Sequence, residues 1–166
     1  MSGSTGGVRG QGGSALPVRQ RAGIPEAVRA ACGMPGPDYV DVFTLTVAGA
    51  RDTPPERWAR TAFEEVAGRG GQFIWRGLLG LRLQRRPSPG HVAGWRIGGL
   101  GEDWVRLEAE SWMLTGNLVL HLTDGEATLV TALRYDRPFA RAVWPPLAAV
   151  HRRLAPGLLR DTYAAL

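Results

Sequence analysis

The sequence predicts an α+β domain, an antiparallel sheet of about five or more strands packed on a long C-terminal helix. Three observations carry this. Residues 104–113 alternate apolar and polar side chains with a period of two. Residues 139–158 carry apolar side chains at i, i+3 and i+4. The strand-like segments are also gathered together rather than alternating one by one with helices, which excludes a doubly wound parallel sheet.

Taken in order, Pro35, Gly36 and Pro37 close a leading segment. DYVDVFTLTVA, from Asp38 to Ala48, is rich in β-branched and aromatic residues. It alternates at Tyr39, Asp41, Phe43, Leu45 and Val47, so it is the first strand. A helix start follows, with Thr53 as N-cap, Pro54 at the first helical position and Glu56 three residues after the cap. In this T-x-x-E pattern two side chains satisfy free backbone N–H groups. Trp58, Ala62, Phe63 and Val66 mark one face of that helix, and Gly68, Gly70 and Gly71 end it. FIWRGLLGLRL, from Phe73 to Leu83, reads as a short helix beside the first.

After the loop RRPSPG, residues 92–97 form a short strand. Gly98-Gly99-Leu100-Gly101 then reads as a turn. In 104–113 Val105, Leu107, Ala109, Ser111 and Met113 take the core face, and Trp104, Arg106, Glu108, Glu110 and Trp112 the other. Leu118, Leu120 and Leu122 mark the next strand, Asp124-Gly125 a hairpin turn, and TLVTALRY, from Thr128 to Tyr135, the last strand. The terminal helix presents Phe139, Val143, Leu147, Val150, Leu154 and Leu158 as its apolar stripe. Pro145, Pro146 and Pro156 predict a break near Trp144, a main helix to about Leu154 and a final turn or two.

The 166 residues carry a net charge of +5, with every basic residue but the histidines an Arg. Residues 1–30 hold four Arg (Arg9, Arg19, Arg21, Arg29) against Glu26 alone, so more than half of the excess sits there. Six of the first 13 residues are Gly, a composition that buries nothing and cannot offset its ordering entropy. Residues 1–35 therefore read as a largely disordered Gly/Arg-rich tail, with a brief helix from Ile24 to Ala31 after Pro25 as its one ordered element. Residues 36–166 read as a single domain. That domain is nearly balanced in charge, so no nucleic-acid partner is expected for it. Cys32 is the sole cysteine, which excludes an intramolecular disulfide. No segment is apolar for the roughly 18 residues of a membrane span, and the N-terminus lacks the apolar core of a secretory signal, so the expected location is the cytoplasm.

The order of elements is similar to that of the START/SRPBCC (Bet v-like) superfamily. The likeness is closest from Glu108 to Leu159, in EAESWMLTGNLVLHL and then TALRYDRPFARAVWPPLAAVHRRLAPGLL. A late strand ending near Tyr135, then Arg141 and Trp144, then His151-Arg152 before Pro156, resembles an uncharacterised, largely bacterial branch of that superfamily. The resemblance implies a helix-grip fold, a curved sheet gripping the terminal helix around an apolar cavity. Members bind lipids, polyketides or other hydrophobic small molecules, and some catalyse cyclisation or hydrolysis. It therefore implies an apolar small molecule or lipid as partner, with Trp95, Arg141, Trp144 and His151 as ligand-binding residues. The chain departs from larger members in showing about five countable strands instead of seven.

The residues themselves point to little chemistry beyond this. P-loop, Rossmann glycine fingerprint and H-E-x-x-H are all missing. The three His are far apart in sequence and share no ligand spacing, so neither metal nor cofactor is expected. Glu108 and Glu110, two apart on one strand face beside Arg106, read as an exposed face with a cross-strand ion pair. On a cavity wall they would instead form an acid/base pair. His151 beside the apolar stripe reads as a hydrogen-bonded packing residue, or as a base facing the cavity. Arg141 and His151 either face an anionic head group together or lock the helix to the last strand through Tyr135 or Asp136. Arg82, Arg85 and Arg86 form a basic loop cluster, and Arg152-Arg153 another, which read as solvated rims or as phosphate contacts. Three functions follow: a binding module for an apolar ligand, a cyclase- or hydrolase-like enzyme using the same cavity, and an acidic-partner or nucleic-acid binder working through the Arg-rich tail.

Overall fold

A computed structural model describes residues 15–166. Seven strands form one antiparallel, curved sheet: β1 (Val18–Arg21), β2 (Tyr39–Thr46), β3 (His91–Val92), β4 (Trp95–Leu100), β5 (Trp104–Glu110), β6 (Leu114–Leu122) and β7 (Glu126–Tyr135). Their order across the sheet is β1-β2-β7-β6-β5-β4-β3. The helices are α1 (Glu26–Cys32), α2 (Pro55–Arg60), α3 (Gly68–Gln72) and α4 (Ala140–Ala165). The α+β class and the long terminal helix of the sequence reading are thus observed.

Helices cover both faces. On the inner face α2, the residues after it through Phe63, and α4 pack over Phe43, Leu45, Leu107, Leu118, Leu120, Leu129 and Leu133. On the outer face α1 lays Val28, Ala31 and Cys32 over Val42, Val119, Val130 and Ala132. Strands covered on both sides lose their alternation, and β7 is buried continuously from Ala127 to Leu133.

The tail reading of 1–35 is corrected for its second half. Val18–Arg21 pairs with β2, Val18 opposite Leu45 and Arg21 opposite Val42, and Glu26–Cys32 is the outer cap. Composition hid this because β1 needs only its backbone to pair, while Arg21 finds Glu126 at 2.9 Å. The short helix after Pro25 is observed. Residues 1–14, with Arg9, lie outside the described residues. With β1 and the two-residue β3 counted, the expected five strands become seven.

The helices also depart from the sequence reading. Pro54, not Thr53, precedes α2 and no side chain caps it, because Glu56 is drawn to Arg60 instead (2.8 Å). α2 runs on through a π-helical stretch, Thr61–Val66, until Gly68 turns the chain at φ +46°. Gly70 and Gly71 lie inside α3, which continues through a second π-helical stretch, Phe73–Leu78. Leu79–Leu83 is not helical. Gly98 and Gly99 belong to β4, at a bulge opposite β5. A Cβ on Gly98 would meet the Glu108 carboxylate at 2.1 Å, so glycine there admits that side chain rather than making a turn.

α4 is one 26-residue helix, and the expected break near Trp144 does not occur. Pro145 and Pro146 lie on its exposed side, and with Pro156 they release the carbonyls of Arg141, Ala142 and Arg152, all exposed residues within reach of water. The buried face is also shifted from the expected stripe. It holds Ala140, Trp144, Ala148, Ala155, Leu159 and Thr162; of the expected stripe, Val143, Leu147 and Leu158 pack partly buried against the core, while Phe139, Val150 and Leu154 are exposed. Small residues win the inner positions because they let the helix axis lie close to the sheet.

Candidate functional site

The alternation that buries Phe43 and Leu45 also carries Asp41 inward, to 3% exposure, opposite Thr131 of β7. A carboxylate so placed needs partners. Gln20 of β1 donates to it at 2.9 Å, the Tyr39 hydroxyl donates to it, and the Arg152 Nε of α4 reaches both its oxygens at 3.2 and 3.3 Å. The Arg152 guanidinium also lies 5.5 Å from the Tyr39 ring. Burial, then the bond to Asp41, pushes the Tyr39 hydroxyl pKa upward, so it stays a donor. This group clasps β1, β2 and α4 together.

An aromatic cluster adjoins the clasp. Trp144 meets Tyr39 edge to face at 5.1 Å and lies 6.1 Å from the His151 ring, which in turn meets Phe43 at 5.9 Å. Burial lowers the His151 pKa, the Asp41 charge opposes this and Arg152 adds to it. The imidazole is thus neutral near pH 7. Trp144 Nε1 and His151 Nε2 are both buried with no hydrogen-bond partner among the described residues.

The structure therefore brings Trp144 and His151 together and leaves the other two expected site residues apart. Trp95 belongs to a second aromatic group, edge to face with Trp75 at 5.7 Å, and Trp75 with Phe63 at 6.0 Å. Its Nε1 is likewise unpartnered. Arg141 is 73% exposed and lies 3.8 Å from Asp38, whose other oxygen accepts the Tyr135 N–H at 2.7 Å. It ties α4 to the last strand, through Asp38 rather than through Tyr135 or Asp136.

Glu108 and Glu110 stand on the outer face, away from this interior. Glu108 is bound by Arg106 at 2.8 Å and by Arg96, and Glu110 lies 3.8 Å from Arg82. Both line an outer cleft of about 620 Å3. A second cleft, of about 990 Å3, lies between the α2–α3 pair and the 84–94 segment. Neither cleft includes Trp95, Trp144 or His151 in its walls. Among the described residues no group of three His, Cys, Asp or Glu is placed to hold a metal ion. No helix among them is long and apolar enough to cross a membrane.

Of the clasp residues, Asp41, Tyr39 and Gln20 were not singled out from sequence as a site, and Arg152, read there with Arg153 as a solvated rim or a phosphate contact, is bound to Asp41 instead. The signal was present: an acid on the apolar side of an alternating strand is costly and calls for a partner. No protein-family model, no curated protein and no solved structure matches this chain.

Proposed function

We propose that the chain is a small helix-grip domain of the START/SRPBCC type that binds an apolar small molecule or lipid between its sheet and α4. One observation supports this reading above others. Five buried polar side-chain atoms lack a partner among the described residues: Thr61 Oγ1, Trp95 Nε1, Thr131 Oγ1, Trp144 Nε1 and His151 Nε2. All five sit on the inner side of the sheet. Leaving one such group unpaired costs about 1–3 kcal/mol, so this set of free polar groups on the inner side suits a guest that is apolar over most of its surface and polar at one end. Trp144 and His151 would take the polar end, and Trp95 would line the apolar wall. Admission requires α4 to part from β2, with Asp41–Arg152 as the clasp that opens.

The test is native mass spectrometry of the full chain, with and without added palmitate, beside the Trp144→Phe and His151→Leu variants. A retained one-to-one adduct that both variants weaken is the expected result. An unliganded wild type that also refuses palmitate overturns the proposal. One feature favours catalysis as a second reading: the buried, neutral His151 imidazole has an unpartnered ring nitrogen, the state a general base needs. Glu108 and Glu110 have no part in that reading, since they face the other way.

A further inference from the structure

The cleft of about 990 Å3 between the α2–α3 pair and the 84–94 segment is built rather than incidental. Arg60 spans it. Its guanidinium donates to Glu56 (2.8 and 3.0 Å) and Glu64 (3.1 Å) on its own helix and to the carbonyls of Pro89 (3.2 Å) and His91 (3.1 Å) on the facing segment. Gln72 donates to the Ala93 carbonyl at 2.7 Å, and Arg76 to the Gln84 carbonyl at 2.9 Å. The two walls are thus held at a fixed separation by polar ties across the gap.

These ties also decide the charge that is left over. Five Arg and two Glu line the cleft. Both glutamates are spent on Arg60, and Glu64 also accepts the Ala93 N–H at 3.0 Å. Arg69, Arg85 and Arg86 have no ion pair or side-chain hydrogen bond among the described residues, and all three are exposed at the cleft. Three guanidinium forks with no acid to answer them fit an anion with several oxygens. Pro87, Pro89 and Ala93 supply apolar surface beside them. The volume lies at the upper end of the range for small-molecule sites.

We propose that this cleft is a second site, distinct from the sheet–helix interior, for a small organic diphosphate. Its phosphoryl oxygens are taken by Arg69, Arg85 and Arg86 and its apolar body lies toward Pro87 and Ala93. Arginine forks bind phosphoryl oxygens two at a time, which a single carboxylate offers less well.

The experiment is calorimetric titration of the full chain with inorganic pyrophosphate, with geranyl diphosphate and with citrate, at about 50 and 200 mM salt. Wild type is expected to bind both diphosphates, geranyl diphosphate more tightly, with affinity falling as salt rises. The double variant Arg85→Ser/Arg86→Ser, in an exposed loop, should weaken both at least about tenfold, a loss near 1.4 kcal/mol, at an unchanged melting temperature. Arg153→Ala, an exposed arginine elsewhere, should bind as wild type. Failure of pyrophosphate to bind, equal losses in the Arg153 variant, or citrate binding as tightly as the diphosphates each overturn the proposal. So does tighter, length-dependent binding of single-stranded DNA sensitive to the same double variant, which would assign the cleft to nucleic acid.

Discussion

The two faces of the sheet are built to different standards. On the outer face the buried polar side chains among the described residues are answered. Asn117 donates to the Cys32 carbonyl at 2.8 Å, Arg106 to the Ala31 and Gly98 carbonyls at 3.0 and 2.8 Å, and the hydroxyls of Thr44 and Thr128 pair at 3.1 Å. The inner face holds the larger aromatics and all five polar atoms left unanswered among the described residues. A cover that only has to close can satisfy all of its groups. On the proposed binding reading, an interior that admits a guest keeps some of them free, and the cost falls on stability.

The largest expected effect would break the outer half of this comparison. A chain beginning at residue 36 uncovers Val42, Val119 and Val130 and loses the burial of Val28, Cys32 and Met34. About 5 kcal/mol or more should go, a large part of a typical domain's stability. Urea unfolding should show it, and an unchanged midpoint would mean that α1 is no cover. Next comes the clasp. Arg152→Met leaves the Asp41 carboxylate buried without its cation and should lower the urea midpoint, by less than the loss of a fully buried pair because Arg152 is half exposed. Adding Asp41→Asn should recover part of the loss, and the double-mutant cycle measures the coupling.

A matched pair of substitutions sharpens the contrast further. Thr44→Val on the outer face removes a paired hydroxyl and strands Thr128, so it should cost about 1–2 kcal/mol. Thr131→Val on the inner face removes an unpaired one and should be neutral or stabilising. Equal losses from the two would erase the distinction between the faces. The smallest effect is that of His151. Its pKa is lowered on folding from the ordinary 6.5, so below that pH the unfolded chain takes a proton that the folded one resists. Its contribution is complete above pH 6.5 and is lost as the pH falls through the folded-state pKa. His151→Gln should flatten that part of the stability profile.

What the sequence disclosed follows the same division. Period-two alternation located β5, where one face differs from the other, β-branched and aromatic content with alternation located β2, and the DG turn located the β6–β7 hairpin. β1, four residues long and charged, was read as part of the tail. The terminal helix was legible as a helix and misread as a face, because hydrophobicity favours Phe139, Val150 and Leu154 whereas close packing favours Ala140, Ala148 and Ala155. The prolines were misread because their cost depends on whether the freed carbonyls meet water, a property of the folded surface. Of the expected site, Trp144 and His151 came together because they lie seven residues, two helical turns, apart. Trp95 is set by the sheet order, which local pattern does not encode. Asp41 was visible as an acid on an apolar face, but its partners come from elements more than a hundred positions apart.

The sheet's margins have one more consequence. An open sheet offers a template at each border for the strands of other molecules. Here one border is the four residues Val-Arg-Gln-Arg and the other only His91 and Val92. A visiting strand would gain few bonds at either, and at the first it would meet two guanidinium groups. The arginines that looked like a basic tail thus occupy the place where a chain of this kind is most exposed to aggregation.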